Sequence, residues 1–164
     1  MVDILEIIRL VVQSQKSTRD GLKHLDEDLT YNQLFRKTSP DRKEKAENIA
    51  IVKVQPVSRL DERKGILKEK TLKFWARSQT TRKLYEGKVR YHLNSLGRWN
   101  GYITCSCTCP DYRFRWETAN HRQNASQILF SNGEAPIMTN PRELPSLCKH
   151  LAAAKPFVLK HAPK

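Results

Sequence analysis

The spacing of apolar residues changes period along this chain, and each change marks a different kind of element. Near the start, Ile4, Ile7, Val11 and Leu5, Ile8, Val12 recur at helical intervals behind the cap-like Asp3-Ile-Leu-Glu6, which predicts a helix over about 3–15. Its apolar surface is wide enough to need cover, from the body of the protein or from another copy. A polar connection follows over 17–28, with a helical turn around Leu22 and Leu25. Thr30-Tyr-Asn-Gln33 repeats the cap pattern ahead of Leu34 and Phe35, and Pro40 closes it, so a short helix is expected over 31–37. Residues 41–48 are so charged that a helical turn and a solvated loop read equally well.

After Ile49 the period shortens to two. Ile49-Ala-Ile51-Val-Lys-Val54 is β-branched, but Pro56 limits any ladder there. In 71–78, Leu72, Phe74 and Ala76 fall on one face, with Lys73, Trp75 and Arg77 on the other. Alternation returns in 89–93 and again from Trp99 to Cys105, the last two runs joined by a turn at Leu96-Gly97. The expectation is an α+β fold: amino-terminal helices, a three-stranded antiparallel meander, and a pair of helices tethered at its end. The natural division is a helical arm over 1–48 and an α+β domain over 49–164.

Beyond the third strand, Cys109-Pro-Asp reads as a helix start, since proline at the first helical position gives up an amide without a partner. Tyr112, Arg115, Trp116, Ala119 and Gln123 then fall at helical spacing, with Tyr112 and Trp116 expected against the sheet. The following stretch carries turn signals at Ser131-Asn-Gly-Glu134, Asn140-Pro141 and Leu144-Pro145. Ile128, Leu129, Phe130, Ile137 and Met138 are apolar enough to anchor it as an ordered loop. Ser146 is placed to cap a last helix through Leu151-Ala-Ala-Ala154, which Pro156 ends or kinks. Phe157, Val158 and Leu159 form a final apolar patch.

All four cysteines sit at the two ends of this stretch, as Cys105-Ser-Cys107-Thr-Cys109 and Cys148-Lys-His150. Thiolate and imidazole are the donors zinc prefers, four to a closed tetrahedral site. Cys107, Cys109, Cys148 and His150 make a Cys₃His set, with Cys105 as an alternative to Cys107. Disulfides in one of three pairings are the competing reading, and they need an oxidising compartment. A catalytic Cys–His pair fits less well, because a nucleophile needs no further cysteines beside it. Asp111 and Glu117 are candidates to hydrogen-bond His150 behind the metal, whereas His24, His92, His121 and His161 read as surface or packing residues.

Cys107-x-Cys109 and Cys148-x-His150, with Cys-Pro-Asp-Tyr after the first pair and Cys-Lys-His-Leu-Ala-Ala-Ala at the second, resemble a SWIM-type zinc finger. The resemblance implies strands leading into a helix around zinc, and a module that binds DNA or protein. The spacer from Pro110 to Leu147 is longer than that pattern has. Residues of about 70–155 also resemble small basic structural proteins of tailed phages, which implies a virion component working through protein–protein contacts.

Composition narrows the field further. The chain has 164 residues, a modest 38% of them hydrophobic, so a structural metal would add usefully to a small core. No apolar run is long enough to span a membrane. Glu6 and Arg9 interrupt the first apolar stretch and no small-residue cleavage site follows it, so it reads as a helix rather than a targeting segment, and the protein as intracellular (cytoplasmic) or carried in a virion. The net charge is +13, and Ser58–Arg90 alone holds eleven Lys/Arg against four Asp/Glu. Cations beside an aromatic ring suit a phosphate-tracking surface, which makes Lys73, Trp75, Arg77, Arg82, Lys83, Lys88 and Arg90 the candidate nucleic-acid contacts. No recognition-helix motif accompanies them, so sequence-specific reading is not expected. No paired-carboxylate, phosphate-loop or Ser–His–Asp constellation is present, and the chain reads as a non-enzyme with no small-molecule substrate.

Overall fold

The computed structural model describes residues 29–163; the helix expected over 3–15 lies outside them. The first described element is α1, Tyr31–Lys37, which starts as its sequence predicts. The Thr30 side chain accepts from the Gln33 amide and the Gln33 side chain accepts from the Thr30 amide, a complete capping box. The charged stretch that follows is helical as well: α2, Pro40–Glu47, opens with proline at its first position and Asp41 in its first turn.

The sheet has four strands, and this corrects the three-stranded meander expected from the sequence. β1 (Ala50–Asp61), β2 (Ile66–Arg77), β3 (Leu84–Leu93) and β4 (Trp99–Cys107) lie side by side in chain order, each pair antiparallel. The extra strand is β1, which continues through Pro56 opposite Leu72. β1 is an edge strand, the place in a sheet that tolerates proline. Its hairpin to β2 turns on Asp61, whose carboxylate accepts from the amides of Arg63 and Lys64, and on Gly65 at φ +63°.

Register decides which side chains share a face. Leu72, Val89 and Cys105 form one row across the sheet, and Phe74, Gly87 and Cys107 the next. These rows face the core, where Leu29, just ahead of α1, and Tyr31, Leu34 and Ala46 from the first two helices join them. The outer edge of β4 is partly covered: Thr30 pairs with Tyr102, and the Cys105 amide donates to the Ala125 carbonyl at 2.8 Å.

After β4 the chain passes Cys109-Pro110 into a wide π-helical turn, Tyr112–Trp116, that tightens into α3, Glu117–His121. Tyr112 is buried as expected. Trp116 is only half-buried, lying beneath the guanidinium groups of Arg42 and Arg115 with its indole N–H toward Asp111. Residues 122–148 hold no regular element. Their expected apolar anchors are largely in water, Ile137 at 73% exposure and Met138 at 93%. Polar groups hold the loop instead. The fully buried Glu117 carboxylate accepts from the amides of Leu129, Phe130 and Ser131, and the Asn140 amide donates to the carbonyls of Arg115 and Leu144. The chain closes with α4 (Lys149–Ala153) and α5 (Lys155–Lys160), broken from each other just ahead of Pro156.

Candidate metal centre

Two separate pieces of backbone deliver the cysteines and the histidine to one point. Cys107 is the last residue of β4, and Cys109 follows as the chain leaves the sheet. The Cys109 sulfur accepts from the Tyr112 amide at 3.3 Å, so the π-helical turn begins on a candidate ligand. On the other side, Cys148 itself is the N-cap of α4, its sulfur accepting from the Leu151 amide at 3.5 Å. The expected cap, Ser146, has other work: with Leu147 it hydrogen-bonds Thr38 at the end of α1, and its backbone pairs with the buried Asn120 side chain at 2.8 and 2.9 Å. Tyr31 adds a hydroxyl donated to the Leu151 carbonyl. The Cys148 loop is therefore tied to α1 and α3 before any metal is considered.

The four ligand atoms of Cys107, Cys109, Cys148 and His150 lie within 4.8 Å of one another, and all four residues are buried. A zinc site with Zn–S bonds of about 2.3 Å sets its sulfurs roughly 3.8 Å apart, so the cluster is of the size a tetrahedral ion requires. His150 makes the stronger argument. It is 2% exposed, yet neither ring nitrogen has a hydrogen-bond partner. A buried imidazole left so is costly, and a metal on one nitrogen removes much of that cost. Its ring lies 4.9 Å from that of Tyr85 on β3, which limits where it can turn.

Electrostatics point the same way. Burial, the largest cause, pushes the Cys107 and Cys148 thiols well above their ordinary range. Cys109 is pulled far down, first by hydrogen bonds from Cys107 and Cys148 and then by His150. Three thiolates so close together in a buried site would repel one another, and a divalent ion would supply the charge that lets all three sulfurs deprotonate.

Cys105 is not brought into the cluster. It sits two residues back on the same face of β4, its sulfur 3.6 Å from the Tyr112 hydroxyl, which also lies 2.8 Å from the Cys105 carbonyl. All four cysteines are free thiols, with no disulfide among them. Neither carboxylate expected behind His150 reaches it. Asp111 pairs with Arg42 at 2.9 Å and Arg115 at 3.2 Å, and Glu117 is used up on the loop amides.

The basic candidates divide by face. Lys73, Trp75 and Arg77 alternate outward on β2 as the period-two pattern requires, and Lys88 and Arg90 lie beside them on β3. Arg82 and Lys83 belong to the β2–β3 turn, with Arg82 at φ +55°. Glu86 contacts Lys88 at 3.4 Å, and Glu69 contacts both Arg59 and Arg90. Lys53 covers the Trp75 ring at 4.7 Å. Strand register sets Glu69 opposite Arg59, a pairing with no local signal in the sequence, whereas Glu86 is two residues from Lys88 on the same strand.

Fold and site together define an α+β protein with a four-stranded antiparallel sheet and a buried Cys₃His cluster that could hold a metal ion. No family model matches the chain, and neither a curated protein nor a solved structure does. Among the described residues, no helix is long and apolar enough to cross a membrane.

Proposed function

We propose that the protein is a non-enzymatic, SWIM-like zinc module that contacts nucleic acid without sequence preference through the outer face of its sheet. The observation carrying the reading is the cluster itself: three buried sulfurs and an imidazole with two partnerless nitrogens, within 4.8 Å. Zinc fits this soft donor set best, and four protein ligands leave no position open for substrate. Thiols kept as ligands suit a reducing, intracellular setting. The charge of +13 and the cations on β2 and β3 support the nucleic-acid partner.

Native mass spectrometry tests the metal. One zinc per chain is expected, retained in Cys105→Ala and lost in Cys148→Ser together with several kcal/mol of stability. Loss of metal in Cys105→Ala would unseat the ligand assignment. The partner is tested by titration against DNA: affinity should fall by about a thousandfold or more between 50 and 200 mM salt if six or more phosphates are contacted. Affinity flat in salt would rule it out.

A second reading is favoured by one feature. Phe114, Ile137 and Met138 are 59%, 73% and 93% exposed, and the Thr139 hydroxyl donates to the Phe114 carbonyl, which ties the two stretches together. An apolar patch of this kind suits a component of a larger assembly such as a tailed-phage virion. Replacing Ile137 and Met138 with serine should then abolish assembly with the zinc still bound.

A further inference from the structure

The outer face of the sheet is not flat. A cleft of about 400 Å³ lies on it, floored by β2, β3 and β4 and walled on one side by Gln127 and Leu129 of the long loop. Its floor follows from the register. One row across the strands is Thr71, Arg90 and Thr104; the next is Lys73, Lys88 and Ser106. Lys73 and Lys88 are thus direct cross-strand neighbours of like charge, an arrangement that destabilises an antiparallel pair. Arg90 adds a third cation to the cleft; Glu69 is shared between Arg90 and Arg59, and Glu86 contacts Lys88 at 3.4 Å, so two carboxylates face four cations. Hydroxyls of Thr71, Thr104 and Ser106 stand between the cations as further donors. An excess of positive charge ringed by donors in a concavity is the chemistry of a phosphate seat.

Trp75 occupies the next position of the same face after Lys73, about 7 Å along the strand. An indole there can meet the face of a base only if that base is out of a duplex, where both faces are already stacked. The wall at 127–129 narrows the approach further, and the Glu117 carboxylate keeps that wall in place through the Leu129 amide.

We propose that this cleft seats a phosphate of single-stranded nucleic acid at Lys73, Lys88 and Arg90, with a neighbouring base stacked on Trp75 in place of Lys53. The proposal rests on the nucleic-acid reading above and adds strand selectivity and a defined contact point to it.

Fluorescence anisotropy with the zinc-loaded chain tests it, using a labelled oligothymidylate and a fully paired duplex of equal length. The single strand should bind at least tenfold tighter. Trp75→Ala should weaken single-strand binding by about fivefold or more and leave duplex binding unchanged, and Trp75→Phe should restore most of the loss. Lys73→Ala with Lys88→Ala should weaken it as well, whereas Arg63→Ala with Lys64→Ala, equal in charge but in the β1–β2 turn, should have little effect. Equal affinity for both forms, or no response to Trp75→Ala, would overturn the seat and leave the general nucleic-acid reading standing. Displacement by pyrophosphate well beyond what its ionic strength explains would reassign the cleft to free phosphate compounds and overturn it too. Binding to neither form would remove both readings at once.

Discussion

Gly87 stands between Phe74, opposite it on β2, and Cys107 of the Cys₃His cluster on β4. A methyl group at this position would lie 2.1 Å from Cζ of Phe74, so the aromatic ring occupies the space a side chain would take. Gly87→Ala should therefore cost about 1–3 kcal/mol as the ring is forced toward its neighbours, read as a lower denaturation midpoint; an unchanged midpoint would contradict this packing. Tyr91, 2% exposed, donates its hydroxyl to the Val158 carbonyl at 2.6 Å and so ties α5 to the sheet. Burial raises its pKa from the ordinary 10.0. The stability this gives is fully present below pH 10.0 and is lost as the pH rises above it. Tyr91→Phe should cost about 1 kcal/mol near neutral pH, and the difference from the parent should shrink as alkaline unfolding begins, measured by denaturation at a series of pH values.

At the scale of elements, the long loop is the part whose order has the least obvious source. Glu117 collects three successive amides, and without its carboxylate they would have no acceptor among the described residues. Glu117→Ala should cost about 3 kcal/mol and should speed hydrogen exchange at Leu129, Phe130 and Ser131; protection left intact would show that something else holds the loop. The sequence carried no sign of this role, because a lone carboxylate followed by a polar stretch has no pattern that marks a buried acceptor. The short helix after Thr30 was legible, since a capping box is local chemistry. The alternation of β2 was legible too, since one of its faces is buried. β1 was not, for a related reason: it lies at the edge with most of its residues in water, so no apolar alternation is imposed on it, and its proline and charges read as breakers. The cysteines and histidine were picked out by donor type and spacing. What their spacing could not give was Cys148 serving as its own helix cap, which depends on Thr38 and Asn120 holding the residues just before it.

At the scale of the whole molecule, the two edges of the sheet are treated differently. Along β4, Thr30 and Ala125 take up backbone groups, while β1 has no neighbour among the described residues beyond β2. Val52, Val57 and Leu60 are exposed along this edge, at 45%, 39% and 59%. A twelve-residue edge with such side chains is a template on which a second chain could add a strand. Pro56, near its middle, interrupts the row of amide donors such an addition would use. Pro56→Thr should leave the metal content unchanged yet raise light scattering on incubation at high concentration, and scattering equal to that of the parent would deny the proline this part. The residue that made β1 hard to recognise in the sequence would then be what keeps one copy from sticking to the next.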